Sequence, residues 1–317
     1  MAKSAGYKLA TYQASDGPRA GVEHLVADDD AAALTRKPAY ASVLGILADW
    51  RAAEAALRKA AASVGKASGK RGSKSKGRPL AKTKLLAPVR FPSAIYCAGS
   101  NYADHALEMS KLHNRPVEPD PHTQGLKPWH FIKSSHAVAA PGDVIDITAA
   151  SKTMDWEVEL AAVIGRPAKN VSIEKALDYV AGYTIANDLS ARDMGRRPHI
   201  GETSPFKSDW TSHKSFDGSA PMGPWIVPAS EIGDPHKLGM KLWVNDVIKQ
   251  DSNSGHMIFN TNEQIAQLSS RITLYPGDVI MTGTPAGVGA ARKEFLKAGD
   301  TVKLWIEKLG TLTNKMK

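Results

Sequence analysis

Residues 154–165 read MDWEVELAAVIG. The run LAAVIG at 160–165 carries no charge. A short continuous apolar run of this kind marks a strand buried on both faces, where a half-exposed strand would alternate. Glu157 and Glu159 enter that strand two positions apart. On a strand this puts both side chains on one face, roughly 6–7 Å from each other. Asp155 shares the alternation. Two uncompensated carboxylates on a buried face cost several kcal/mol. Something cationic is therefore expected between them: lysine or arginine partners, or a divalent metal, because hard ions take carboxylate oxygens. An exposed face with two solvated glutamates is the plain alternative, and the apolar LAAVIG context tips the reading toward a metal. A third carboxylate, Asp188, follows Glu159 by 29 residues at the end of VAGYTIAND. That interval fits a turn, a short helix and a strand returning beside the first.

Outward from this stretch, residues from about 85 onward read as strands with turn punctuation. AIYCAGS, PGDVIDI, EVELAAVIG and PGDVIMTGTP are strand candidates, KLWVNDVIKQDS is a hairpin around Asn-Asp, and GDTVKLWIEKLGTLTNKM is a terminal strand pair. Helical patterns cover 101–112, 172–178 and 261–271. Regular βαβ alternation is missing, which argues against a doubly wound sheet. Toward the N-terminus, 7–30 holds short alternating segments, and 41–64 is a helix with Val43, Leu47, Trp50, Leu57, Ala61 and Val64 at helical spacing, ended by Gly65. The expected organisation is a small N-terminal α/β domain with a basic linker over 1–80 and a catalytic domain over 81–317, α+β and β-rich.

The formal charge is +9, but 66–84 carries eight positive residues and no acid, so the excess belongs to one Gly/Ser/Lys tract. A solvated linker explains it better than specific nucleic-acid binding. A non-catalytic polyanion-binding protein is the competing reading from another class; it would have no need of the acids. A single cysteine, Cys97, allows no intrachain disulfide. With no apolar run long enough for a membrane helix and no apolar core near the N-terminus, a cytoplasmic protein without membrane attachment is expected.

Three further features carry chemistry. His105 and Glu108 in NYADHALEM are three apart, on one helix face, where a carboxylate orients an imidazole that serves as general base. Gly283, Gly287 and Gly289 in MTGTPAGVG allow close backbone approach to a ligand, and Thr284 offers a hydroxyl. Arg192 and Lys214 suit a substrate carboxylate or a developing oxyanion.

Taken together the chain resembles the fumarylacetoacetate hydrolase family. The matching segments, in order across 94–314, are GSNYADHALEM, FIKSSHAVAAPGD, DWEVELAAVIGRPAKNVS, ALDYVAGYTIANDLSARD, KSFDGSAPMGPWIV, LWVNDVIKQDSNSGHMIF, LYPGDVIMTGTPAGVG and GDTVKLWIEKLGTLTN. The resemblance implies a mixed β-sandwich roll and a homodimer. It implies a divalent metal on Glu157, Glu159 and Asp188, Mg²⁺ first, with Mn²⁺ or Ca²⁺ as alternatives. It also implies a His105–Glu108 pair activating water from a lid segment, Lys214 steadying an oxyanion, and substrate contacts from Arg192, Thr284, Gly283 and Tyr102. The implied substrate is a β-dicarbonyl compound such as a 2,4-diketo acid or acylpyruvate, cleaved at a C–C bond in aromatic or sugar-acid catabolism. The same cage also supports decarboxylation, isomerisation or hydration through a metal-bound enolate. One departure is Gly195, where the family often has a glutamine, and the segments 110–130 and 195–213 are expected to border the pocket.

Overall fold

A computed structural model describes residues 6–24, 27–68, 82–147 and 151–317. Its main sheet runs, in spatial order, Ala27–Asp30, Gly17–His24, Lys8–Ala14, Ala220–Pro228, Val180–Asn187, Val158–Ile164, Val279–Met281, Ile95–Ala98 and His130–Lys133. Neighbours are antiparallel except Val279–Met281 beside Ile95–Ala98, so the sheet is mixed. A second sheet of five strands holds the hairpin Gly239–Val244/Val247–Asn253 and the terminal pair Thr301–Ile306/Gly310–Met316, with Val144–Ile145 at its edge. The expected Asn-Asp turn is present, with Asn245 and Asp246 at φ 49° and 63°, the left-handed pair that a two-residue hairpin loop requires.

Every residue of the strand Val158–Ile164 is buried. The reason is visible in the two cores. Val158, Leu160, Ala162 and Ile164 join an apolar cluster shared with the five-stranded sheet, through residues such as Leu242, Leu304 and Leu312. Ala161 and Val163 point the other way, into a cluster with Trp50, Ala53 and Leu57 of the N-terminal helix. The continuous apolar run is thus the signature of a central strand sandwiched between a sheet and a helix. Glu157 and Glu159 share the parity of Ala161 and Val163.

The N-terminal strands do not stand apart from the rest: Leu9 pairs with Ile226, which extends the main sheet. Two details of the N-terminal helix differ from expectation. It is broken at Asp49, with one helix over Val43–Ala48 and another over Trp50–Ser68. Asp49 accepts a hydrogen bond from the Tyr40 hydroxyl at 2.6 Å, and its carbonyl accepts the Ala53 N–H that opens the second helix; a short acid favours such a cap over a helix interior. The helix also runs through Gly65 to Ser68, since one interior glycine costs only about 1 kcal/mol. The boundary near residue 80 and most of the basic tract lie outside the described residues. Among the described residues no helix is long and apolar enough to cross a membrane.

The helix Ala103–Leu112 is held in place by Asn101, just before it. Asn101 Nδ2 donates to the Phe259 and Thr282 carbonyls at 2.9 and 2.8 Å, and its Oδ1 accepts from the Phe259 N–H at 2.8 Å. Asn101→Ala strands those buried groups and should lower stability by about 2–3 kcal/mol, measured by chemical denaturation.

Candidate metal centre and catalytic cavity

The register of two strands creates the acid cluster. Val158 pairs with Asn187 and Glu159 with Ala186. Asp188, one residue past its strand, donates its N–H to the Glu157 carbonyl at 2.9 Å. The ladder is interrupted before Val158, and buried side chains satisfy the exposed amides: Asn187 Oδ1 accepts from Glu157 N and Gln250 Oε1 from Val158 N, both at 2.9 Å. The outcome is a triad in which one oxygen each of Glu157, Glu159 and Asp188 lies within 4.8 Å of the others, all three residues buried. Asp155 does not join it. Its oxygens accept from the Gly289 and Ala290 amides at 2.5 and 3.0 Å and from Arg192 Nε at 2.8 Å.

Three cations surround the triad. Lys214 Nζ donates to Glu157 Oε2 at 2.9 Å, to Asp188 Oδ2 at 2.6 Å and to Ser190 Oγ at 2.6 Å, which occupies all three of its protons. Arg192 bridges Asp155 and Glu157. Lys133 donates to Asp188 Oδ1 and to the Leu189 carbonyl. The lysine and arginine partners expected as one answer to the paired glutamates are therefore present. Burial opposes ionisation of Glu157, but Lys214 and Arg192 outweigh it and hold the carboxyl below its usual range. Glu159 has no cationic side chain bonded to it among the described residues; it accepts the Gly283 N–H at 2.8 Å. Burial, then the charges of Asp188 and Glu157, push its carboxyl well above the usual range. Asp155, Glu157 and Asp188 are matched by the three cations, and ionising Glu159, the fourth buried carboxyl, would add one negative charge with no cation bonded to it among the described residues. Three converging oxygens with that added charge fit a hard divalent cation.

The same cavity is lined by His105, Arg192, Lys214 and Thr284 as well as the triad. His105 Nδ1 stands 3.5 Å from Glu108 Oε2, and this nitrogen makes no hydrogen bond among the described residues. Both Glu108 oxygens instead accept the Gly287 N–H, at 3.0 and 2.9 Å, which ties the helix to the glycine-rich loop. Burial raises the Glu108 carboxyl, and His105, the Gly287 amide and Arg292 together more than reverse this, so it is held below its usual range. Asp104 docks the helix on the other side by accepting from Ser252 Oγ at 2.5 Å.

The expected substrate contacts divide. Arg192 and Thr284 reach the cavity. The Thr284 hydroxyl donates to the Val158 carbonyl and accepts from Gln250, each at 2.9 Å. Gly283, at φ +99°, aims its amide at Glu159; a side chain there would be strained and would meet Asn101 Cβ at 2.9 Å. Tyr102 is corrected. It is fully buried in the apolar core, with its hydroxyl 3.3 Å from Met240 Sδ, because it precedes the helix on the inward side. Residues that the sequence reading passed over include Lys133, Ser190, Trp129, Phe131, Trp210 and His213. Lys133, a lone charge in the strand HFIK, was the one with a legible signal. The segments 110–130 and 195–213 do border the cavity, through Trp129 and through Trp210 and His213.

Comparison with known proteins agrees with this geometry. The family model described as fumarylacetoacetate (FAA) hydrolase C-terminal matches residues 94–317. The mitochondrial oxaloacetate tautomerase fahd2 of Xenopus laevis is 43% identical over 232 residues, 73% of this chain and 67% of that protein. The human mitochondrial oxaloacetate tautomerase FAHD2B is 40% identical over 240 residues, 75% of this chain and 71% of that protein. Among solved structures, fumarylacetoacetate hydrolase from Exiguobacterium antarcticum superposes with a TM-score of 0.74 at 28% identity, covering 98% of this chain and 99% of that one. Maleylpyruvate hydrolase from Sphingobium sp. SYK-6, solved with manganese(II) and pyruvate, does so at 0.71 and 28%, covering 98% of each. With its C-terminal two-thirds matched end to end and its acids convergent, the chain belongs to the fumarylacetoacetate hydrolase family.

Proposed function

We propose that this chain is a divalent-metal-dependent enzyme acting on a 2-oxo acid that bears a second carbonyl two carbons away, with His105 as the proton acceptor and C–C hydrolysis as the reaction. The observation that carries the reading is the meeting of His105 with the acid triad in one cavity. Glu157, Glu159 and Asp188 would hold the metal, Mg²⁺ or Mn²⁺. When bound it would supply Lewis-acid polarisation of the substrate's oxygens. His105 takes a proton from water, and the resulting hydroxide adds to the distal carbonyl carbon. The bond between that carbon and its neighbour breaks, its electron pair passes to the neighbour, and protonation there yields a carboxylic acid and a shorter 2-oxo acid. Glu108 keeps the imidazole facing the cavity while anchored on Gly287. Lys214 balances the triad's charge; to serve a substrate oxyanion it must exchange one of its three acceptors. A homodimer is part of this proposal on family resemblance alone.

A second reading is tautomerisation of such a 2-oxo acid, favoured by the 40–43% identity to oxaloacetate tautomerases. It uses the same base, with the proton taken from the carbon between the two carbonyls. Assay of the purified protein with Mg²⁺ or Mn²⁺ separates the two. Release of pyruvate from acylpyruvates is expected for hydrolysis. Accelerated keto–enol exchange of oxaloacetate without product release would replace it with the tautomerase reading. No metal-dependent change in any 2-oxo acid would defeat both.

A further inference from the structure

One side of the cavity is built from groups that the chemistry above does not use. Trp129, Phe131 and Trp210 line it together with His213. Phe131 and Trp210 are stacked with ring centroids 5.1 Å apart, and Trp129 meets Trp210 edge-on at 5.6 Å. Trp129 and Trp210 remain 47% and 46% exposed, a large apolar surface to leave in contact with water. The wall adjoins the triad, since Lys214 Nζ lies 5.0 Å from the Phe131 ring centroid. Two glycines make room for it. A Cβ at Gly99 would fall 2.0 Å from the Trp129 ring, and one at Gly195 would fall 2.8 Å from His213 Nδ1. The imidazole of His213 therefore fills space that a side chain at 195 would otherwise contest. Its Nε2 is buried and has no hydrogen-bond partner among the described residues.

We propose that Trp129, Phe131, Trp210 and His213 form the subsite that reads the distal end of the substrate, selecting 2-oxo acids that end in an apolar or planar group over those that end in a second carboxylate. The proposal rests on the 2-oxo-acid reading given above and narrows it. His213 supplies one hydrogen bond from Nε2 to the distal carbonyl oxygen, the natural use for a polar atom that would otherwise stay unpaired. Burial, with the charges of Lys214 and Arg192, pushes its imidazole down to about 3, so the ring is neutral and offers a second carboxylate no charge. Arg192 and Lys214 are already committed to Asp155, Glu157 and Asp188. Aromatic faces carry the negative part of the ring quadrupole, which disfavours an anion and suits a planar apolar group.

The test uses the full-length, Mn²⁺-loaded protein and three probes: oxaloacetate, and 2,4-dioxo acids ending in methyl or in phenyl. Calorimetric binding and steady-state rates are measured for each. The phenyl compound should bind roughly 10-fold or more tighter than oxaloacetate, within the range one pocket supplies for apolar recognition. Trp210→Ala should cost the phenyl compound roughly 10-fold more than it costs the methyl compound. His213→Ala should raise KM for both dioxo acids roughly 10-fold with a much smaller fall in kcat, and His213→Gln, which restores a hydrogen-bonding group, should recover most of the loss. Unchanged Mn²⁺ titration in each variant shows that the fold and triad are intact. Tighter binding of oxaloacetate than of the phenyl compound, or equal losses for all three probes in Trp210→Ala, would overturn this inference and leave the 2-oxo-acid reading standing. If the wild-type protein binds none of the three, that reading falls and this one falls with it.

Discussion

Asp188→Ala and Glu159→Gln should each abolish divalent-cation binding and turnover, yet move the stability of the metal-free protein in opposite directions. Asp188 is the acceptor for both Lys133 and Lys214. Its removal leaves two buried ammonium groups short of a partner, a change that costs about 3–5 kcal/mol for a buried pair. Glu159 is the acid without a bonded cation, and its carboxyl is held well above the usual range by burial and by its like-charged neighbours. In the unfolded chain it ionises in the ordinary carboxylate range. Above that range the unfolded state has released a proton that the native state retains, so this group subtracts stability as pH rises. Glutamine has no such penalty and can still accept the Gly283 N–H. Glu159→Gln should therefore raise Tm without metal, with a larger gain at pH 8 than at pH 5. Thermal melts in EDTA across that interval, with calorimetric titration of Mg²⁺ and Mn²⁺, check both halves. Wild-type metal affinity in these variants would show that the triad is only a buried ion network.

The readable part of this chain was the part governed by short periods. The uninterrupted LAAVIG run announced a strand covered on both faces, and the two-residue period put Glu157 and Glu159 together. Asp188 was placed by the length of the connection, and the resemblance of eight segments supplied the family. What stayed hidden depends on contacts between distant segments. Asp155 has the same parity as the two glutamates but is drawn off by the Gly289 and Ala290 amides, more than 130 residues away in sequence. Tyr102 is next to the catalytic helix and still faces the core, because direction at a helix start follows from docking and not from adjacency. Lys133, which the sequence reading passed over, gains its role only from the fold, which places it against Asp188. Trp210 and His213 sit on the five-residue helix Trp210–Lys214, too short to show a period, and only the room left at Gly195 explains where His213 goes.

His105→Ala should lower turnover by about 10²–10⁴-fold, the range a positioned general base contributes, with metal affinity close to that of the wild type. The separation follows from the architecture. His105 stands on the helix Ala103–Leu112, whereas the three acids come from the main sheet, and none of the helix's hydrogen bonds runs to the triad. Its loss removes the proton acceptor and leaves the cation site complete. Glu108→Gln should be milder. The carboxylate stands 3.5 Å from the imidazole, too far for a strong hydrogen bond, and its closer attachment is to the Gly287 amide, which a glutamine carbonyl can still accept. Because the Glu108 carboxyl lies below its usual range, it stays ionised throughout neutral pH, so the glutamine variant should show a nearly constant deficit from pH 6 to 9. Both proposed reactions need the base, hydrolysis to activate water and tautomerisation to take the carbon-bound proton. Metal-assisted decarboxylation needs none for bond cleavage. Initial-rate assays of His105→Ala on an acylpyruvate and on oxaloacetate therefore report on mechanism as well as on the residue. A uniform loss on both substrates places His105 at a proton-transfer step, and full retention of both rates would move the base elsewhere in the cavity.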